Sequence, residues 1–424
     1  MCIFSLKKVL IINTRNNIRM KNKNNKITIF GWKALYIALI SLLAFASSAQ
    51  SDALSDEAFI QKNKLRERAT EVLFWTQDER AVGFKNIGVI APTRVVAIAK
   101  NAKPMTLNDI GLADVTYEVE GIKYSIQDFI KLPSAVGLVV LKDGQLVYED
   151  YTEGNDHNTR WISFSVTKSV SSLLIGAAIK DGYIGGVDDQ VVDYLPQFKG
   201  SAYEGVSIKN VLNMNSGVQW NEDYSDPKSD VSIAGDANGI ILVNYMQALP
   251  RAHRPGTVFN YNTAESNLIG ELLRSAIGNN AATYLQDKIW QPYAMESDAL
   301  WLLDRPNGVE TGGCCLLATL RDFSRIGQFA LEQLASPKNS PLAVNWMQNS
   351  VAPSVTYPGY GYQWWLNSDN NNFQARGIFG QSILVMPELG LIIAKHGNTP
   401  RAKGPSVFTA HSDALDMAIT KQFN

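Results

Sequence analysis

Ser165 and Lys168, three residues apart, open the segment RWISFSVTKSVSSLLIGAAIKDGYIGG. Val170, Leu173, Leu174, Ala177 and Ala178 follow at helical spacing, which predicts a buried helix. Residues three apart on a helix share a face, so the Ser165 hydroxyl and the Lys168 amine can meet. A serine so placed attacks a carbonyl carbon when a neighbouring base takes its proton. Lysine serves as that base if burial or nearby positive charge lowers its pKa from about 10.4 towards neutrality. The spacing alone is common, since Ser-x-x-Lys also occurs at Ser5, in a basic leader, and at Ser225, in EDYSDPKSD. Pro227 and the clustered acids make that second stretch a loop. Only Ser165 begins a long periodic helix.

Other chemistries lack their residues. The histidines are His157, His253, His396 and His411, and no Gly-x-Ser-x-Gly elbow accompanies them, so the Ser-His-Asp route has no signature. There is no His-Glu-x-x-His pattern and no pair of cysteines at zinc spacing, and neither a metal nor a cofactor is called for. Cys314 and Cys315 are adjacent, which precludes an ordinary disulfide between separate segments and fits small buried packing residues. The acids Glu222, Asp223, Asp226 and Asp230 lack calcium-loop spacing and are expected to face water. Trp364 and Trp365 on an alternating strand face opposite sides, so at most one lines a pocket.

The elements that must position Ser165 follow from pattern. The first 49 residues hold eight Lys or Arg and no acid, and end in the apolar run Ala34 to Ala46 followed by SSAQ. Residues 1–49 are therefore expected to be a cleavable signal peptide and leader, started at Met1 or Met20, which sends the chain to the periplasm or outside the cell with no stable membrane anchor. The remainder carries 31 basic against 40 acidic side chains, a formal charge of −9, which argues against nucleic acid as a partner. Residues 50–120 are expected to be an N-terminal extension, with a charged helical stretch and a loop containing VIAPTRVVAIA, and residues 121–424 the main domain. SAVGLVVLKDGQLVYEDY predicts a hairpin turning at Asp143-Gly144. GYGYQWWL, FQARGIFGQSILVMPE and LGLIIAKHG predict successive antiparallel strands, and SVFTAHSDALDMAITKQF a closing helix. Strands at both ends with a mostly helical insertion between residues 186 and 300 predict an α+β fold, an antiparallel sheet flanked by helices.

Three separated segments, in order, give the chain a family resemblance. Ser165-Val-Thr-Lys168 resembles the nucleophile motif of serine β-lactamases and penicillin-binding proteins. PGTVFNYNTAESNLIGELL resembles the second motif of class C β-lactamase-like proteins, with Tyr261 in the tyrosine place and Thr263 where asparagine is usual. ARGIFGQSILVMPELGLII resembles the strand bearing Lys-Thr-Gly, although Ala375-Arg376-Gly377 keeps only the glycine. SGVQWNEDYSDPKSD and GGCCLLATLRDFSRIGQFAL look most like the 6-aminohexanoate-dimer hydrolase and esterase group, and the whole resemblance runs over roughly residues 125–420.

The resemblance implies a serine hydrolase acting through an acyl-enzyme on Ser165, with Lys168 and Tyr261 as base and proton relay and either one as the base. It implies an oxyanion hole from the backbone N–H groups of Ser165 and Ile378. Gly377, Thr263 and Tyr224 are the implied substrate contacts, Gly377 by letting the substrate backbone approach closely. Without the lysine of Lys-Thr-Gly and the asparagine of Tyr-x-Asn, β-lactam recognition is expected to be poor, and small esters or linear amides are the expected substrates. Two alternatives stand: a β-lactamase or D-Ala-D-Ala carboxypeptidase of the same fold, and a non-catalytic binder of peptidoglycan fragments or peptides.

Overall fold

Asp143 and Gly144 both adopt left-handed backbone, φ 50° and 77°, so the chain reverses tightly between β4 (Ala135–Lys142) and β5 (Gln145–Tyr151). The computed structural model describes residues 54–152, 154–236, 239–367 and 371–424. The expected leader lies outside them. Every element below belongs to one compact unit, Asp56–Asn424.

The hairpin pairs with β12 (Leu391–Gly397), β11 (Gln381–Met386), β10 (Asn372–Gly377) and β9 (Trp365–Asn367) in one six-stranded antiparallel sheet of order β5-β4-β12-β11-β10-β9. The run AVGLVVL in β4 is apolar throughout because both of its faces are covered. Val139 and Leu141 join the core beneath the serine-bearing helix, whereas Leu138 and Val140 join a second core with Phe408, Leu415 and Ile419 of the closing helix Val407–Thr420. Ile392 and Leu391 of β12 divide in the same way.

The helical insertion includes the Thr263–Ile277 helix, which packs against the Val166–Lys180 helix through a shared core that includes Leu173, Leu174, Leu268 and Leu272. A smaller antiparallel sheet of order β1-β7-β8-β6 lies at the entry to the serine-bearing helix. It comprises β1 (Thr93–Val96), β7 (Ala299–Leu302), β8 (Leu316–Thr319) and β6 (Arg160–Ile162), while β2 (Thr116–Val119) and β3 (Ile122–Ser125) form a separate ribbon. The segment VIAPTRVVAIA is thus not only a loop. Thr93–Val96 pairs with β7, and tertiary pairing decides what a short apolar run cannot. Within the expected extension, Trp75, Phe84 and Ile87 are buried against Trp161 and Phe164, so residues 56–96 share a core with the elements around Ser165. The mixed α+β architecture agrees with the pattern read along the chain. Among the described residues no helix is long and apolar enough to cross a membrane.

Candidate active site

Ser165 caps the Val166–Lys180 helix and lies half-buried on the wall of a cavity of about 500 Å³. Two neighbouring elements fix the helix start. The Leu316 N–H of β8 donates to both Ser163 Oγ (2.9 Å) and Thr167 Oγ1 (2.8 Å), and Ser163 N–H returns a bond to the Leu316 carbonyl at 2.9 Å. Phe164, just before the serine, has φ 46°, and Phe379, just after Ile378, has φ 62°. Left-handed backbone in such residues costs of order 1–3 kcal/mol and persists only where packing over-determines it. Here the packing is a trio of rings: Phe84 lies 5.0 Å from Phe164 and 5.6 Å from Phe379, and Phe164 lies 5.3 Å from Phe379. Arg80 covers Phe379 at 4.4 Å and is anchored on Asn398 Oδ1 at 3.0 Å. The two segments expected to supply the oxyanion hole, at Ser165 and Ile378, both line the cavity and are held by one aromatic knot.

Lys168 is 1% exposed. Its Nζ donates to the Gly313 carbonyl at 3.0 Å and to Thr263 Oγ1 at 3.2 Å, and lies 5.6 Å from the centre of the Tyr261 ring. A Cβ on Gly313 would stand 3.0 Å from that nitrogen, so glycine there lets the amine rest against backbone. Burial pulls the Lys168 pKa down to about 8, and the Glu222 carboxylate opposes part of that fall.

Tyr261 precedes the cap of the second helix, where Asn262 Oδ1 accepts the Glu265 N–H at 3.2 Å. Tyr261 lines the same cavity as Ser165, close enough for the serine side chain to lower its pKa slightly. Its ring stacks on Trp365, centroids 5.5 Å apart and planes 23° from parallel. Burial and then Glu222 push its phenol well above the ordinary range, only partly offset by Ser165 and Arg376. The neutral phenol is therefore the stable form of Tyr261, and of the two side chains it is Lys168 whose pKa moves towards neutrality.

Glu222 overturns an expectation. Instead of facing water it turns into the cavity wall and accepts from Trp220 Nε1, Thr263 Oγ1, Thr263 N–H at 3.0 Å and Tyr224 OH at 2.6 Å. Asp230 likewise accepts from Asn221 N–H, at 2.6 Å, and from Tyr245 OH. Asp223 and Asp226 do cap local turns, at Ser225 and Lys228. Thr263, in the asparagine place, thereby links Lys168 to Glu222 through one hydroxyl. Tyr224 lines the cavity, and Lys403 Nζ lies 5.3 Å from its ring.

Gly377 has ordinary extended backbone, φ −123° and ψ 153°, but a Cβ on it would lie 2.4 Å from the Ser163 carbonyl. The glycine is therefore required for close approach of β10 to the chain leading into Ser165, and it also lines the cavity. Ala375 points into the core, fully buried, whereas its exposed neighbour Arg376 lines the cavity with its guanidinium 5.8 Å from the Trp365 ring centre. Trp364 is buried and Trp365 lines the cavity, as alternation demands. Cys315 is buried as expected, but the two cysteines are bonded to each other across a cis peptide immediately after Gly313. Sequence reasoning missed Glu222, Arg376, Lys403 and the three phenylalanines. Only the Trp220–Tyr224 stretch offered a signal, as aromatics interleaved with acids. Among the described residues no group of His, Cys, Asp and Glu is placed to hold a metal.

Comparison with known proteins places this geometry. A 6-aminohexanoate-dimer hydrolase of Paenarthrobacter ureafaciens is 24% identical over 344 residues, 75% of this chain and 85% of that protein. Among solved structures, a Bacillus anthracis protein assigned as a 6-aminohexanoate-dimer hydrolase superposes with a TM-score of 0.70 at 18% identity, over 80% of this chain and 94% of its own. EstCE1, a hydrolase with promiscuous acyltransferase activity, superposes with a TM-score of 0.54 at 16% identity, over 68% and 95%. The sequence model of the Beta-lactamase family matches residues 126–416, more than half of the chain, and the protein belongs to that family.

Proposed function

We propose that the protein is a serine hydrolase that cleaves small esters or linear amides through an acyl-enzyme on Ser165. The observation that carries this reading is a serine and a tyrosine side by side on one cavity wall, with Lys168 of the serine's helix buried behind them, 5.6 Å from the Tyr261 ring centre and with its pKa lowered to about 8. In the first half-reaction Ser165 Oγ bonds to the carbonyl carbon while its proton passes to Tyr261, which gives its own towards the neutral amine of Lys168. The negative oxygen is held by the N–H groups of Ser165 and Ile378. Collapse breaks the bond to the leaving amine or alcohol, which takes the proton back, and water repeats the sequence on the acyl-enzyme. The neutral phenol suits Tyr261 for relay, since it gives a proton as it takes one.

The choice of small esters and linear amides rests on Ala375 and Thr263 together with the resemblance to the dimer hydrolase and to EstCE1. Purified protein is expected to turn over p-nitrophenyl butyrate, with Ser165→Ala reducing kcat/KM by at least ~10³-fold. A Ser165→Ala protein that keeps wild-type turnover ends the reading. Nitrocefin turned over with a higher kcat/KM than the ester would move the protein to the β-lactamases proper.

A further inference from the structure

The strand that carries lysine in the Lys-Thr-Gly motif here carries Ala375, yet the cavity is not without cations. Arg376 and Lys403 both line it. Arg376 lies against Trp365, 5.8 Å from the ring centre, and among the described residues its guanidinium makes no hydrogen bond or ion pair. Lys403 Nζ lies 5.3 Å from the Tyr224 ring and donates once, to the Glu222 carbonyl at 3.3 Å, which leaves ammonium hydrogens uncommitted. Aromatic contact restricts both side chains without satisfying their donors.

The acids around the same cavity are differently placed. Glu222 accepts four hydrogen bonds, from Trp220, Tyr224 and Thr263, so its oxygens are already taken up by the protein. Asp416 pairs with the buried Lys395 at 2.5 Å, and Lys395 also holds Ser412 Oγ at 2.6 Å. Asp413 is exposed on the closing helix. The uncommitted hydrogen-bond donors left for a ligand in this cavity therefore belong to two cations, although Glu222 and Asp413 balance their formal charge, and Arg376 offers a planar fork that matches a carboxylate.

We propose that this cavity selects esters or amides that carry a carboxylate, bound by Arg376 with Lys403 on the Tyr224 side. The inference rests on Ser165 being the nucleophile and adds the substrate class. The carboxylate can belong to the acyl part or to the leaving group, and two matched ester pairs separate these cases.

The test compares p-nitrophenyl hydrogen glutarate with p-nitrophenyl butyrate, and 3-carboxyphenyl butyrate with phenyl butyrate. One anionic member is expected to exceed its neutral partner in kcat/KM by roughly ten- to a hundredfold, mainly through KM, the size of one charge-assisted contact. Raising NaCl to about 0.5 M should shrink that preference, because screening is short-ranged at such salt. Arg376→Ala should reduce the preference at least tenfold and Lys403→Ala by a smaller factor. Arg376→Lys, which keeps the charge and loses the fork, should restore part of it. A wild type that favours the neutral member of both pairs overturns the proposal. So does an Arg376→Ala protein in which both members of each pair change by the same factor. If none of the four esters is hydrolysed, the assignment of Ser165 falls, and this inference with it.

Discussion

Ser165, Lys168 and Tyr261, the floor of the site, ride on the starts of two packed helices, whereas Glu222, Tyr224 and the exposed Arg376 and Lys403, its mouth, come from loops and a strand end. The floor is held by groups with several partners each: a helix start pinned by Leu316, a lysine laid against Gly313, and a ring knot of Phe84, Phe164 and Phe379. The mouth is held largely through one carboxylate, Glu222, and by stacking on Trp365 and Tyr224. The difference teaches a division of labour. Under the proposed mechanism, positions that carry the bond-making steps are built into regular elements, and positions that choose the substrate sit where a sequence can change without disturbing the core.

The comparison breaks most sharply at Lys168. Lys168→Met keeps the bulk of the side chain and removes the base, and kcat/KM for p-nitrophenyl butyrate is expected to fall by ~10²–10⁴-fold. In the wild type the amine must be unprotonated to accept a proton. Activity should therefore rise with pH below about 8, by up to about tenfold per unit, and level off above it. A flat profile from pH 6 to 9 would take the base role away from Lys168.

Phe84→Ala tests whether the floor depends on residues far from it in sequence. Removing the ring leaves a void between Phe164 and Phe379 and should cost about 3–5 kcal/mol of stability, read as a lowered midpoint in urea. Turnover measured where the variant is still folded should fall as well, because the left-handed backbone on either side of the proposed oxyanion donors loses its support. A variant with the lower midpoint but unchanged kcat would confine Phe84 to stability.

Glu222→Gln sharpens the boundary between floor and mouth. Its charge favours the ammonium form of Lys168, so removing it should lower that pKa and move the rising limb of the pH profile to lower pH. A limb that stays in place would show that Thr263 does not transmit the charge. Tyr224→Phe should give the smallest change, within roughly five-fold in KM, because it removes one hydroxyl donor to a carboxylate that keeps three others. A larger fall in kcat than rise in KM would bring Tyr224 into the chemistry.

The same division governs what could be read from the chain. Ser165, Lys168 and the helix beneath them were legible because spacing on one helix is local, and the hairpin at Asp143-Gly144 because its turn needs left-handed residues. Tyr261, Ile378 and Gly377 came only with the family resemblance, since nothing local marks a tyrosine before a cap or an amide after a glycine. Glu222 was hidden because its partners Trp220, Tyr224 and Thr263 converge through tertiary folding, and an acid in an acid-rich loop ordinarily faces water. Arg376 was noticed as a departure at the strand, but its meaning depends on which face of β10 is covered, and only the packed sheet decides that. Thr93–Val96 was hidden for a related reason, because its partner β7 lies some two hundred residues away.

Mapping the covalent adduct of a fluorophosphonate probe on the purified protein reaches the nucleophile itself. After digestion, the phosphonylated mass is expected on the peptide containing Ser165, to be absent from Ser165→Ala, and to form more slowly in Lys168→Met. An unlabelled wild type, or a label that persists when Ser165 is replaced, would contradict an acyl-enzyme formed at the start of this helix.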